Sequence, residues 1–133
     1  MRILITGCRN WRCDKMADGV ISRLVERYGR LLIIVHGDAP GVDTAFADAA
    51  SRQMIPDEPH PADWERLGRA AGPRRNEVMV KAGAELCIAV HRDLKASKGT
   101  QGCVKLALAA GIRTVLIDND EGETRWVTQA DLI

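Results

Sequence analysis

The chain has 133 residues with 19 Lys and Arg against 18 Asp and Glu, a formal net charge of +1. One domain of that size can bury a core, and 31 Leu, Ile and Val with 17 Ala supply it, which excludes disorder. The near-neutral balance argues against a polybasic nucleic-acid clamp, and no apolar run reaches the roughly 18–20 residues that cross a bilayer.

Ile3–Thr6 reads as a first strand and is too short for the core of a signal peptide, so a cytoplasmic protein is expected. Asp14 is placed to cap a helix whose apolar face is Ala17, Val20, Ile21, Leu24, Val25 and Tyr28, ending at Gly29. Leu31–Val35 is a continuous apolar run, as expected of a strand covered on both faces. Val42, Ala45, Phe46, Ala49 and Ala50 mark a second helix. Three prolines within residues 55–63 leave a loop or a short edge strand. Asp63 caps a short helix from Trp64 to about residue 70, and Gly72-Pro73 opens another that runs to Ala82 and stops at Gly83. Leu86–Val90 is a strand, residues 91–99 a polar loop, and Thr100 caps a helix ended by Gly111. Thr114–Ile117 is the last clear strand, and Trp126-Val127 is a candidate edge strand. The alternation predicts an α/β fold: a single Rossmann-like domain over residues 1–133, with a parallel sheet and helices on both faces.

In such sheets ligands bind outside the carboxyl ends of the strands. Three loops fall there: Gly7-Cys8-Arg9-Asn10-Trp11, His36-Gly37-Asp38-Ala39-Pro40-Gly41-Val42-Asp43, and Ser97-Lys98-Gly99-Thr100. Glycines admit an anion close to the backbone, and helix N-termini favour negative charge. The loops would bring Arg9, Gly37, Gly41, Gly99 and Thr100 around a phosphate, with Gly7 and Lys98 beside them. Asp43 is either a helix N-cap or a contact to ribose hydroxyls. Trp64 and Trp11 are either packing anchors or rings on which a base stacks. Arg75 and Asn76 are expected in the first turn of a helix. A cation is unfavourable there, so Arg75 calls for an anionic ligand or an ion pair with Asp38, Asp43 or Asp63. Neither G-x-G-x-x-G after the first strand nor G-x-x-x-x-G-K-[ST] occurs, which disfavours an ordinary dehydrogenase or P-loop ATPase. Four cysteines without a C-x-x-C pair and three scattered histidines argue against a metal site, and no cofactor other than the ligand itself is expected.

The ordered set Gly7-Cys8-Arg9-Asn10-Trp11, His36 through Asp43, Pro61-Ala62-Asp63-Trp64, Ala71-Gly72-Pro73-Arg74-Arg75-Asn76 with Met79, and Gly99-Thr100 resembles the SLOG superfamily, within it the small YspA-like branch. The resemblance spans about residues 3–117 and implies a domain that binds nucleotides or their derivatives, in some relatives as a sensor of nucleotide signals. It also implies distant kinship with the Lonely-guy phosphoribohydrolases and with DprA, and assembly as a homodimer or higher homo-oligomer. The Lonely-guy pattern pairs an arginine in R-K-x-x-M with a glutamate in P-G-G-x-G-T-x-x-E. Arg75 and Met79 match the first, whereas Cys103 stands where the glutamate would be. Three readings follow: a binder of a nucleotide or ADP-ribose-like small molecule, an N-glycosidic hydrolase of nucleoside monophosphates, and a single-strand nucleic-acid binder. Few aromatics and the neutral charge oppose the third. The hydrolase would need Arg75 with Asp43, or Asp38 or Glu77, in place of the glutamate. Cys103 is either a packing residue or a thiol activated at a helix start.

Overall fold

A computed structural model describes residues 1–133. The strands are β1 (Arg2–Gly7), β2 (Ile33–His36), β3 (Asp57–Pro59), β4 (Leu86–Val90), β5 (Arg113–Ile117) and β6 (Arg125–Trp126). The helices are α1 (Asp14–Tyr28), α2 (Val42–Arg52), α3 (Trp64–Leu67), α4 (Ala71–Ala82) and α5 (Gly99–Ala109). The strands form one sheet in the order β3-β2-β1-β4-β5-β6, parallel except for β6, which runs antiparallel to β5. The expected α/β architecture is therefore what the chain adopts.

The two-residue alternation of a strand divides the core between the faces. Ile3 and Ile5 of β1 pack with α1 and α2, through Ile21, Phe46 and Ala49. Leu4 points the other way, into a cluster with Met79 and Val80 of α4 and Cys103 and Ala107 of α5. Strand order runs outward from β1 to β3 and then restarts on the other side with β4. Right-handed crossovers place the helices of the two halves on opposite faces, so the loops after β1 and β4 diverge and leave a crevice between them.

Several expected boundaries shift for local reasons. Leu31 is exposed and lies outside β2, which begins at Ile33 and includes His36. Asp14 does not cap α1; it is the first helical residue and pairs with Arg12. Helix α4 begins at Ala71, running on from a 3-10 turn over Gly68–Ala70, so Arg75 and Asn76 lie in its second turn. Thr100 is likewise inside α5, and its N–H is received by Ser97 Oγ at 3.0 Å, so Ser97 does the capping. Asp63 does cap α3, accepting from Arg66 N–H at 3.2 Å. No helix is long and apolar enough to cross a membrane.

Candidate functional site

A cavity of about 620 Å³ opens at the crevice, lined by the end of β1, the loop before α2, the first two turns of α4 and the start of α5. It brings together Gly7, Arg9, Asp43 and Trp64 with Arg75, Asn76, Lys98, Gly99 and Thr100. Four cations line it, namely Arg9, Arg69, Arg75 and Lys98, and none has a carboxylate within 4 Å. The carboxylates on the same wall are Asp43 and Glu77. The first helical turn of α5 adds the positive end of its dipole.

Arg75 is held by neutral hydrogen-bond partners, and no carboxylate pairs with it directly. Nη1 donates to the Gly37 carbonyl and to the His60 carbonyl (3.4 Å), and Nε donates to Asn76 Oδ1 at 2.8 Å. Nη2 makes no hydrogen bond within the protein. The expected ion pair with Asp38, Asp43 or Asp63 does not form, because the carbonyls of Gly37 and His60 take the guanidinium. Burial lowers the Arg75 pKa from its ordinary value, opposed by Asp43; an arginine still carries its charge. Asn76 in turn reaches from α4 to α5, donating to the Gly99 carbonyl at 3.4 Å.

Asp43 is neither an N-cap nor an exposed carboxylate. Gly41 holds the cap position of α2, and Asp43, 6% exposed, reaches back from the first turn. Its Oδ2 accepts from Gly37 N–H at 3.0 Å and Ala39 N–H at 3.3 Å. Its Oδ1 is buried and has no hydrogen-bond partner. Burial pushes the carboxyl above the usual carboxylate range, against the pull of His36, of those two N–H groups and of Arg75. One buried carboxylate oxygen is thus left unsatisfied in a residue that lines the cavity.

Three expected binding residues lie outside the cavity lining. Gly37 spends its N–H on Asp43 and its carbonyl on Arg75, and a Cβ on it would stand 2.3 Å from Arg75 Nη1. Gly41 has φ +79, and a Cβ there would come within 2.5 Å of the main chain of Cys8 and Arg9. Both glycines serve the close approach of loops to one another rather than the approach of an anion. Trp11 is drawn away by Arg92, whose guanidinium lies 4.1 Å from its ring, and Asp120 fixes that arginine at 2.6 Å. Trp64 stays on the cavity, with Arg9 over its ring at 5.0 Å. Cys103 is fully buried in the cluster beneath α5, and burial pushes its thiol up to about 11; it packs and is not poised as a nucleophile.

Residues not singled out as binding candidates also line the site. Asn10 and Ser97 sat in the loops already marked, and Arg69, Pro73 and Met79 lie on the helices around Arg75. Gly102 lies within α5 and is signalled only as a glycine interrupting a helical pattern.

A family model described as the YspA, cpYpsA-related SLOG family matches residues 1–67. The Gene 61 protein of Mycobacterium phage D29 is 38% identical over 120 residues, which is 86% of this chain and 94% of that protein. The fold is also similar to the crystal structure of DNA processing protein A (DprA) from Streptococcus pneumoniae. That match has a TM-score of 0.70 at 20% identity and covers 89% of this chain, which spans 50% of the DprA chain.

Proposed function

The chain belongs to the YspA- and cpYpsA-related SLOG family, and from that premise we propose that its crevice binds a nucleotide or an ADP-ribose-like derivative. The observation that carries this reading is the gathering of Arg9, Arg69, Arg75 and Lys98, all without ion-pair partners, on one cavity beside the α5 N-terminus. Uncompensated cations facing a shared space call for an anion, and planar guanidinium groups suit phosphate oxygens. Arg75, held in place by two carbonyls and Asn76, offers its free Nη2 edge to a phosphate while Lys98 and the Gly99–Thr100 turn face the same oxygens. Asp43 Oδ1, lacking any partner, accepts from a ribose hydroxyl. Phosphate beside a hydroxyl donor is the pattern of a sugar phosphate, and the cavity volume suits a small metabolite.

Mass spectrometry of small molecules released from the purified protein, followed by calorimetric titration of the compound found, tests the reading. Arg75→Ala is expected to weaken that ligand by about 10- to 100-fold, the worth of charge-assisted hydrogen bonds. Unchanged affinity in Arg75→Ala, or binding only of uncharged compounds, would refute it.

One observation favours a second reading, N-glycosidic hydrolysis: Asp43, whose Oδ1 is buried without a partner, is among the residues that line the cavity holding Arg75. A carboxylate there could orient water or stabilise positive charge at the anomeric carbon. Incubation with nucleoside monophosphates and chromatography for free base decides it. Release of base that disappears in Arg75→Ala makes the protein an enzyme, and none at any enzyme concentration leaves it a binder.

A further inference from the structure

We propose that the base of the ligand lies in the slot between α4 and α5, against the backbone of Gly102 and the side chains of Met79 and Leu106. This rests on the nucleotide reading above and adds where the base is recognised. Gly102 is the fourth residue of α5, where glycine is less favourable than alanine. Nothing inside the protein demands it. Its φ is not positive, and a Cβ built on it meets no atom within 4 Å. It does line the cavity, so what the missing side chain keeps clear is space for a ligand lying flat on the helix.

The neighbours of Gly102 give that space its chemistry. Leu106 is four residues further along α5, on the same face, and packs against the cluster that contains Met79. Met79 is 2% exposed and belongs to the same cavity wall as Asn76, one turn earlier on α4. Met79 and Leu106 join Ile5, Ala39, Trp64 and Pro73 as the apolar residues of the lining, and a polarisable thioether suits an aromatic plane. The nearby indole rings are engaged: Trp11 holds Arg92 outside the cavity, and Trp64 carries Arg9 at 5.0 Å and rests its edge against Gly72. At 1.5 Å per residue, Gly102 lies about 4.5 Å along the helix axis from Gly99, which places the slot one sugar away from the phosphate end. Asp43, 6% exposed and with its Oδ1 unpartnered, lines the same cavity.

Calorimetric titration of the full chain with ribose 5-phosphate and with AMP, GMP, CMP and UMP separates the two ends of the site. The best monophosphate is expected to bind the wild type at least about tenfold more tightly than ribose 5-phosphate, a gain of the size an apolar pocket confers. Gly102→Leu is expected to erase that gain and leave ribose 5-phosphate within about twofold of wild type. Gly102→Ala should raise the melting temperature, through helix propensity, while lowering only monophosphate affinity. Three results overturn the slot and leave the phosphate reading standing: equal wild-type affinity for monophosphates and ribose 5-phosphate, undiminished monophosphate affinity in folded Gly102→Leu, or an equal loss of both ligands in that variant. Should Gly102→Leu fail to fold, Leu106→Gln is read by the same criteria. Failure of the wild type to bind any of the five probes overturns the slot, and the nucleotide reading then stands or falls on the compound released from the purified protein and its response to Arg75→Ala.

Discussion

Two segments beside the cavity both carry glycines and use them for opposite ends. On the β2–α2 side the loop is stitched to itself: Gly37 N–H and Ala39 N–H meet Asp43, Asp38 N–H meets His36 Nδ1 at 3.0 Å, and His36 Nε2 meets Asp57 at 2.7 Å. A methyl group on Gly37 or Gly41 would strike Arg75 or the β1–α1 loop. On the α5 side, a methyl group on Gly99 or Gly102 would meet nothing. Glycine in the first wall lets protein approach protein, and in the second it leaves room. The closed wall positions Arg75 and the Asp43 carboxylate, and under the proposed function the open wall admits the ligand.

The largest expected effect breaks the closed wall. Gly41→Ala combines a left-handed φ of +79 with a Cβ within 2.5 Å of the Cys8 and Arg9 main chain, neither of which a side-chain rotation relieves. It should cost roughly 3 kcal/mol or more, read as a lower urea midpoint. Gly99→Ala on the open wall serves as its partner measurement and should leave the midpoint nearly unmoved. Equal effects from the two substitutions would dissolve the contrast.

A smaller effect concerns the carboxylate that the closed wall buries. The native pKa of Asp43 lies above its unfolded value, so over the interval between them the folded state binds more protons and stability falls as pH rises. Asp43→Asn keeps an acceptor for Gly37 and Ala39 N–H and removes the titrating charge. Relative to wild type it should gain stability as pH rises above about 4, by on the order of 1 kcal/mol at neutral pH. Urea unfolding of both proteins from pH 4 to 8 measures this. Under the ribose reading the same variant loses ligand affinity, so stability and binding move in opposite directions.

The difference between the walls explains what could be read from the sequence. Ile3–Ile5 and Leu86–Val90 announce buried strands because each is apolar on both faces, and the α1 and α2 stripes carry their helical period in the residue order. Arg75, Asp43 and Gly99 reach a common cavity because strand order sends their loops to one edge. What a glycine is for is a matter of its distant neighbours, so Gly37 and Gly41 look like a phosphate cradle until Arg75 and the Arg9 backbone are seen against them. Trp11 is diverted by Arg92, eighty-one positions away. Gly102 shows the reverse: a local cost within a helix, visible in sequence, whose proposed reason is the cavity it lines.

The smallest expected effect asks how far the support behind the closed wall extends. Glu58 on β3 takes both guanidinium nitrogens of Arg2, at 2.8 and 2.7 Å, and His60 Nε2 at 2.7 Å. Those partners, Arg2 foremost, draw its carboxyl down to about 2. A depressed native value means stabilisation that is complete above the ordinary carboxylate range and fades as pH falls toward 2. Glu58→Gln should therefore be less stable than wild type at pH 7, with the gap closing below about pH 4.5. Glu58 is more than a third exposed, so solvent screening holds the gap within about 1 kcal/mol and added salt narrows it. His60 also offers its carbonyl to Arg75, the one link from this network to the site, but the Gly37 carbonyl holds the same nitrogen. Ligand affinity in Glu58→Gln should accordingly stay within about threefold of wild type. A larger loss would mean that the closed wall is braced from the sheet edge, and that Arg75 depends on β3 as much as on the glycine beside it.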